Sequence, residues 1–353
     1  MKNDLMRSLT VAGTVFLSGA GAALAAPCLE VTLTGTQGGP PVFQGQAGSG
    51  TLVRYGEEAN NCSDVVLQFD AGRGTTQQLS KLKVPVGKLD AIFLTHIHTD
   101  HTDGLSELMQ LRWHFNSAGP KVDLVCNSDV VAPKGYTMSC ARLAASIGDT
   151  MIAAGEIAQR LAENPKRLPG GPADLFNVMT FDGAEQIQTV WEQGDVKVTA
   201  IASRHIAGHV SFRVDTPAGS VVIGGDAGND LPKPPRASST SAQVETLSEG
   251  ADIVVHSVIH PVMGPDGSSG FPPPIYYRQS TATDLGSMAK RAGVSNLMLT
   301  HLIPPIGAAK QGPYPVSDTG LSKQDYIDSV REGGFEGQVI VGTDLATLRL
   351  VAP

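Results

Sequence analysis

Apolar and polar positions alternate over residues 29–34, the two-residue period of a half-buried strand. The Gly-rich run 35–50 then reads as a loop before a second strand at 51–55. The apolar run Val65-Val66-Leu67-Gln68-Phe69 predicts a buried strand ending at Asp70-Ala71-Gly72-Arg73-Gly74, and residues 89–94 predict the next. Over 103–114 the spacing becomes helical, with Leu105, Leu108, Met109 and Leu111 facing inward. A strand at 122–126 and a Met/Ala-rich helix over 141–162 follow. Pro165 and Pro169-Gly170-Gly171-Pro172 stop that helix in what reads as a loop or lid base.

Short strands at 187–190, 196–202, 210–214 and 220–223 open a second strand-rich half. It continues with a strand at 253–255, a helix at 283–292, a strand at 297–299, a helix at 323–331 and a closing alternation over 339–350. The Gly/Pro-rich segment 264–274 resists regular structure and reads as a loop at a cavity mouth. Strands alternating with helices predict an α/β protein, whose sites lie beyond the carboxyl ends of its strands.

Chemistry concentrates at one such end. Directly after Ala91-Ile92-Phe93-Leu94, the run Thr95-His96-Ile97-His98-Thr99-Asp100-His101 places three imidazoles and a carboxylate at a strand-to-helix turn. Imidazole nitrogen and carboxylate oxygen suit Zn²⁺ and similar cations, so His96 and His98 can grip one ion while Asp100 and His101 turn toward another. One loop leaves such a site incomplete. His205, Asp226 and His301 each follow an apolar run, as ligands on rigid elements do; each taken alone reads more readily as a hydrogen-bonded surface or cap residue, and together with the 96–101 run they read as ligands.

Composition narrows the setting. Residues 1–25 combine Lys2 and Arg7 with an apolar, small-residue run ending Ala23-Leu24-Ala25, the pattern of a secretory signal, which predicts export to the periplasm or beyond. Pro27 before Cys28 argues against a lipid anchor, and no second apolar stretch is long enough to span a bilayer. Residues 26–353 then form a single domain of two α/β halves. The net charge of −8 becomes one unit more negative without Lys2, Arg7 and Asp4, which predicts a small-molecule partner and no nucleic acid. Four cysteines, Cys28, Cys62, Cys126 and Cys140, suit an oxidising compartment. Cys28 with Cys62 and Cys126 with Cys140 is the favoured arrangement among the three pairings that four cysteines permit.

The motif His96-x-His98-x-Asp100-His101 resembles the signature of the metallo-β-lactamase fold. The segments Gly35-Thr36-Gln37-Gly38-Gly39-Pro40, Phe69 through Thr75, Gly225-Asp226-Ala227-Gly228, Ala251 through His256 and Leu299-Thr300-His301 resemble, in order, landmarks of its ribonuclease Z-like branch. That branch includes secreted arylsulfatases and cyclic-nucleotide phosphodiesterases. The resemblance implies a four-layer αββα sandwich and two divalent ions, zinc by default with manganese or iron as alternatives. It puts His96, His98 and His205 on the first ion, Asp100, His101 and His301 on the second, and Asp226 between them, with Asp100 also orienting the nucleophile.

One position departs from the pattern. The RNA-cutting members have a histidine, thought to assist the leaving group, where this chain has Gln279 in Tyr276-Tyr277-Arg278-Gln279-Ser280-Thr281; this argues against tRNA processing. His256 and His260 are spare imidazoles, His256 being the candidate orienter or acid, while His209 is weaker and His114 is read as structural. Arg278, beside Tyr277, is the candidate clamp for a small anionic ester. The expected function is an exported dinuclear-metal hydrolase of small sulfate or phosphate esters, arylsulfatase-like first. A phosphodiesterase for cyclic nucleotides or other small diesters is the alternative; a lactonase or β-lactamase and a non-catalytic metal-binding protein rank lower. Oligomeric state is left open.

Overall fold

A computed structural model describes residues 26–352 apart from 117, 118 and 232, so the leader expected over 1–25 lies outside the described residues. Two seven-stranded sheets carry the fold. The first contains β1 (Pro27–Gly35), β2 (Gly50–Glu57), β3 (Val65–Phe69), β4 (Ala91–Phe93), β5 (Val122–Asn127), β6 (Phe176–Phe181) and β14 (Thr347–Val351), in the order β14-β1-β2-β3-β4-β5-β6. The second contains β7 (Gln188–Gln193), β8 (Val196–Ala202), β9 (Val210–Thr216), β10 (Gly219–Ile223), β11 (Ile253–Ile259), β12 (Asn296–Ile303) and β13 (Gln338–Val341), in the order β13-β12-β11-β10-β9-β8-β7. Each sheet pairs antiparallel on one side and parallel on the other, the parallel blocks being β3 to β6 and β10 to β13.

The sheets face each other across an apolar layer that includes Leu29, Val31, Phe69, Phe93, Phe212, Val255 and Met298, all buried. Phe69 and Phe93 stack with ring centroids 4.6 Å apart, and Phe212 meets Phe93 edge-on at 5.4 Å. Burying each such ring stabilises the fold by roughly 2–3 kcal/mol. Phe69 and Phe93 are also the last residues of β3 and β4, so the same packing holds two strand ends beneath the polar residues that follow.

Helices cover the outer faces. α1 (Thr75–Lys81), α3 (Leu105–Asn116), α4 (Cys140–Ala153) and α5 (Glu156–Glu163) pack on the first sheet; α6 (Ala242–Ser248), α8 (Ala282–Arg291) and α9 (Lys323–Glu332) pack on the second. The short α2 (Thr99–Thr102) and α7 (Pro273–Tyr276) lie at the rim. Thr281 caps α8 by accepting from the Asp284 amide, and Ser322 with Asp325 forms a capping box on α9. The architecture is the expected αββα sandwich.

Several elements differ from the sequence reading. The helix expected over 141–162 divides, because Gly155 has φ 82°, a left-handed conformation that ends α4 and starts α5. The alternation over 339–350 also divides: β13 joins the second sheet, whereas β14 returns to the first beside β1. Strand β6 buries only Phe176 fully, too weak a pattern to read as a strand. On α3, Arg112 and Trp113 are buried while Leu111 is only half-buried. The terminal nitrogens of Arg112 donate to the carbonyls of Val86, Leu89 and Pro120 inside the outer layer, while its Nε is buried without a partner.

Both favoured disulfides, Cys28–Cys62 and Cys126–Cys140, are formed. Among the described residues no helix is long and apolar enough to cross a membrane. Asp344, between β13 and β14, fastens the first loop to the sandwich. Its carboxylate accepts from the Thr36 amide and hydroxyl, the Ala47 amide and the Gln78 side chain.

Candidate metal centre

Strand β4 delivers Thr95 to the carboxylate of Asp70, which accepts from the Thr95 amide at 2.8 Å and its hydroxyl at 2.8 Å. His96 follows, and the chain then turns through α2, which carries Asp100 and His101 in a single helical turn. The Nδ1 of His101 lies 2.8 Å from Asp70 Oδ2, which leaves Nε2 facing the centre. The second sheet supplies its residues one by one. His205 stands in the turn after β8, Asp226 follows β10, and His301 lies on β12 with φ 45°. That conformation costs a histidine on the order of 1–3 kcal/mol and lies beside a register shift between β11 and β12.

The seven residues expected to hold metal converge. His96, His98 and His205 present nitrogens within 4.8 Å of one another; so do the ligand atoms of Asp100, His101 and His301, and those of His96, His101 and Asp226. The Asp226 carboxylate sits between the two groups, with Oδ1 3.5 Å from His101 Nε2 and Oδ2 3.2 Å from His301 Nε2 and 3.7 Å from His205 Nε2. The donor set fits cations. His96 Nε2 faces His98 Nδ1 at 2.9 Å, and the buried atoms His101 Nε2 and Asp226 Oδ1 have no hydrogen-bond partner, an arrangement that wants positive charge at its centre.

The electrostatics divide the cluster: against the effect of burial, the Asp226 charge raises His101 and His301. Burial, followed by the neighbouring His101 and His205, holds His96 well below the usual imidazole range, and burial brings His205 down to about 4. Burial also lowers His98. These three imidazoles are therefore neutral at pH 7, with lone pairs available. Burial alone would raise both carboxyls, yet the His301 hydrogen bond and the His101 charge keep Asp100 low, and the His301 and His101 charges keep Asp226 low.

Beside the cluster opens a cavity of about 440 Å³, bordered by His98, Asp100, His205, Asp226 and His301. Its remaining walls include Pro40, Pro41, Ile97, Phe271, Ile275, Ile303 and Tyr314, with Arg278 and Gln279 as polar members. The Nε of Arg278 and the Oε1 of Gln279 are buried without partners. Phe271 brings the expected mouth segment to the wall, although its last two residues, 273 and 274, open α7.

Other candidates fall elsewhere. His256 is fully buried beneath the turn leading to Asp226, so close that a Cβ on Gly224 would meet its Cδ2 at 2.2 Å. It does not border the cavity, which removes the acid role and leaves one of support. Tyr277 instead carries Arg236, whose guanidinium lies 5.3 Å from its ring, and His260 packs on Tyr326 and caps Val262. His114 lies beside Arg160 and Arg167 on the outer layer, as its structural reading requires. Sequence reasoning missed Asp70 and Thr95. Asp70 follows an apolar strand end just as Asp226 does, and that signal was available.

Comparison with known proteins extends these observations. The family described as "Anti-Pycsar protein Apyc1" matches residues 59–134. The ribonuclease Z of Mycobacterium marinum (strain ATCC BAA-535 / M) is 29% identical over 323 residues, 90% of this chain and 97% of that protein. That of Mycobacterium avium (strain 104) is 29% identical over 328 residues, 92% and 99%. Among solved structures, the metallo-β-lactamase fold protein YhfI from Bacillus subtilis superposes with a TM-score of 0.58 at 19% identity, covering 91% of this chain and 99% of that one. Human tRNase Z, short form, gives 0.57 at 16%, covering 90% and 98%. Zn²⁺-bound PqqB from Methylobacterium extorquens gives 0.54 at 13%, covering 90% and 99%.

These relatives overturn the expectation that nucleic acid is no partner, since proteins similar over nine-tenths of the chain are named ribonuclease Z. The inference from net charge fails for a physical reason: charge summed over a surface says little about a local centre that gathers cations. The αββα sandwich and the converging histidines and aspartates are those of a metal-dependent hydrolase of the metallo-β-lactamase fold, and over nearly all the described residues the chain is similar to proteins named ribonuclease Z.

Proposed function

We propose that the protein hydrolyses phosphodiesters whose departing oxygen is stable as an anion, aryl esters foremost. The observation that carries this reading is the cavity itself: a seven-residue His/Asp cluster opening onto apolar walls with one guanidinium, Arg278. In this reading His96, His98 and His205 hold one divalent ion and Asp100, His101 and His301 a second, with Asp226 shared; zinc is the default occupant. Two such ions supply Lewis-acid polarisation of an ester oxygen and acidify water.

The remaining steps belong to the side chains. Asp100, kept ionised, takes the proton of the attacking water on a carboxylate oxygen. Arg278 binds the non-bridging oxygens, and Ile97, Phe271, Ile275 and Tyr314 receive the ester's apolar arm while excluding bulk water. A new oxygen–phosphorus bond forms and the bond to the aryl oxygen breaks, its electron pair leaving with the phenolate. Among the described residues the cavity offers little to protonate that oxygen. Gln279 is a neutral amide, and outside the cluster the lining residues include no imidazole or carboxyl group. Leaving groups that depart unprotonated are therefore favoured over alkoxides.

An aryl sulfate is the second reading. A sulfate monoester and a phosphodiester are both tetrahedral monoanions, so the single Arg278 charge matches either. Export of the protein belongs to the same proposal, and the two disulfides support it.

Turnover of bis(p-nitrophenyl) phosphate, p-nitrophenyl sulfate and a 3′-extended tRNA by the zinc-loaded protein tests the ranking. The expected order puts the phosphodiester first. Faster sulfate release would establish the second reading, and efficient tRNA cleavage beside slow aryl turnover would overturn both.

A further inference from the structure

His209 lies outside the seven-residue cluster and does not border the substrate cavity, yet it is almost completely buried, with its ring 5.0 Å from that of His96 and 5.7 Å from that of His205. Its hydrogen bonds leave one consistent assignment. The backbone N–H of Asp226 points at His209 Nε2 at 3.1 Å, and an amide can only donate, so Nε2 accepts and the ring proton resides on Nδ1. Nδ1–H then donates to Ser203 Oγ at 2.8 Å. The Ser203 hydroxyl in turn donates to Ser211 Oγ at 2.7 Å, and Ser211 donates to the carbonyl of Gly224 at 2.8 Å.

This chain of bonds starts at the amide of Asp226 and ends on the carbonyl two residues before it. It closes around the turn Gly224-Gly225-Asp226, whose middle residue has φ 60°. Ser203, His209, Ser211 and Asp226 are all buried. The backbone of Ser203 also donates to the carbonyl of His209, which ties the two ends of the turn carrying His205. One ring thus braces the turn of Asp226 and lies within the turn of His205.

We infer that His209, held as its Nδ1–H tautomer by Ser203, is the positioning residue that aims the Asp226 carboxylate between the two groups of metal-binding side chains. The inference rests on the two-cation reading of the centre. Hydrogen-bond partners behind a metal ligand typically govern 10- to 100-fold in affinity, because they fix the ligand before the ion arrives.

Two polar substitutions separate the two halves of the imidazole. His209→Gln carries an oxygen near the Nε2 position and keeps the acceptor for the Asp226 amide; His209→Asn keeps a donor for Ser203 and withdraws that acceptor. Zn²⁺ affinity and stoichiometry of the metal-free full chain, measured by competition with a chromophoric chelator, form the primary readout. The visible spectrum of the Co²⁺ form reports ligand geometry independently of turnover. The expected result is affinity near wild type for His209→Gln, about 10- to 100-fold weaker binding for His209→Asn and a changed Co²⁺ spectrum in the latter alone. Equal affinities and spectra in the two variants would overturn the inference. Wild-type stoichiometry, read in the same titration, judges the two-cation reading separately: two ions support it and a single ion overturns it.

Discussion

The two halves of the sandwich furnish the centre in opposite ways. The first sheet gives His96, His98, Asp100 and His101 from one strand end and one helical turn, within six consecutive residues. The second gives His205 and Asp226 from the loops after β8 and β10 and His301 from within β12, spread over nearly a hundred residues. A contiguous set needs only local geometry, so one turn places it. A dispersed set needs the whole sheet, the register of β10 to β12 and the support behind each loop. Damage to the first half should therefore stay local, whereas damage to the second should travel.

The largest expected effect comes from the residue that joins the halves. Asp226→Ala should lower turnover by on the order of 10³-fold or more and reduce the bound metal, since it removes the carboxylate between both groups. Metal analysis beside steady-state kinetics checks this; retention of two ions with near-normal turnover would break the comparison. A smaller effect is expected for Asp70→Asn in the first half. It keeps the side-chain volume but loses the charge facing His101 Nδ1, and should weaken metal binding by about 10- to 100-fold with little change in the unfolding midpoint of the metal-free protein.

The smallest effect is a pH dependence of the metal-free fold. Burial holds His205 at about 4 in the folded chain, below its unfolded value of 6.5, so between these values the unfolded chain binds more protons. The stability attached to His205 is thus complete above pH 6.5 and is lost as pH falls toward 4. Denaturant titrations across this window should show a shallower acid slope for His205→Gln than for wild type, and parallel slopes would refute the assignment.

Legibility in the sequence follows the same division. The 96–101 run stands out because its chemistry and spacing are visible without the fold, and His205, Asp226 and His301 become readable once apolar runs are seen to end at them. Asp70 and His209 were harder. Asp70 acts through Thr95 and His101 and shares with Asp226 only its place after an apolar strand, whereas His209 acts through a backbone amide and bears no pattern of its own in the chain. The split of residues 339–350 between the two sheets was hidden because one alternation serves either sheet equally well. His256 differs for the converse reason: a histidine after the apolar run 253–255 reads as an orienter or acid until it is placed within β11, under a turn that closes over its ring.

Asp344 never meets the cavity, yet it holds both ends of the stretch 36–47, and that stretch contains the prolines forming one wall. Selection for new substrate preference would therefore find a lever at a site remote from any ligand, where loosening one carboxylate widens the range of shapes admitted without disturbing the reactive groups. The shape of that wall thus depends on a clasp outside it, and a change at position 344 would reach the cavity with every lining residue intact.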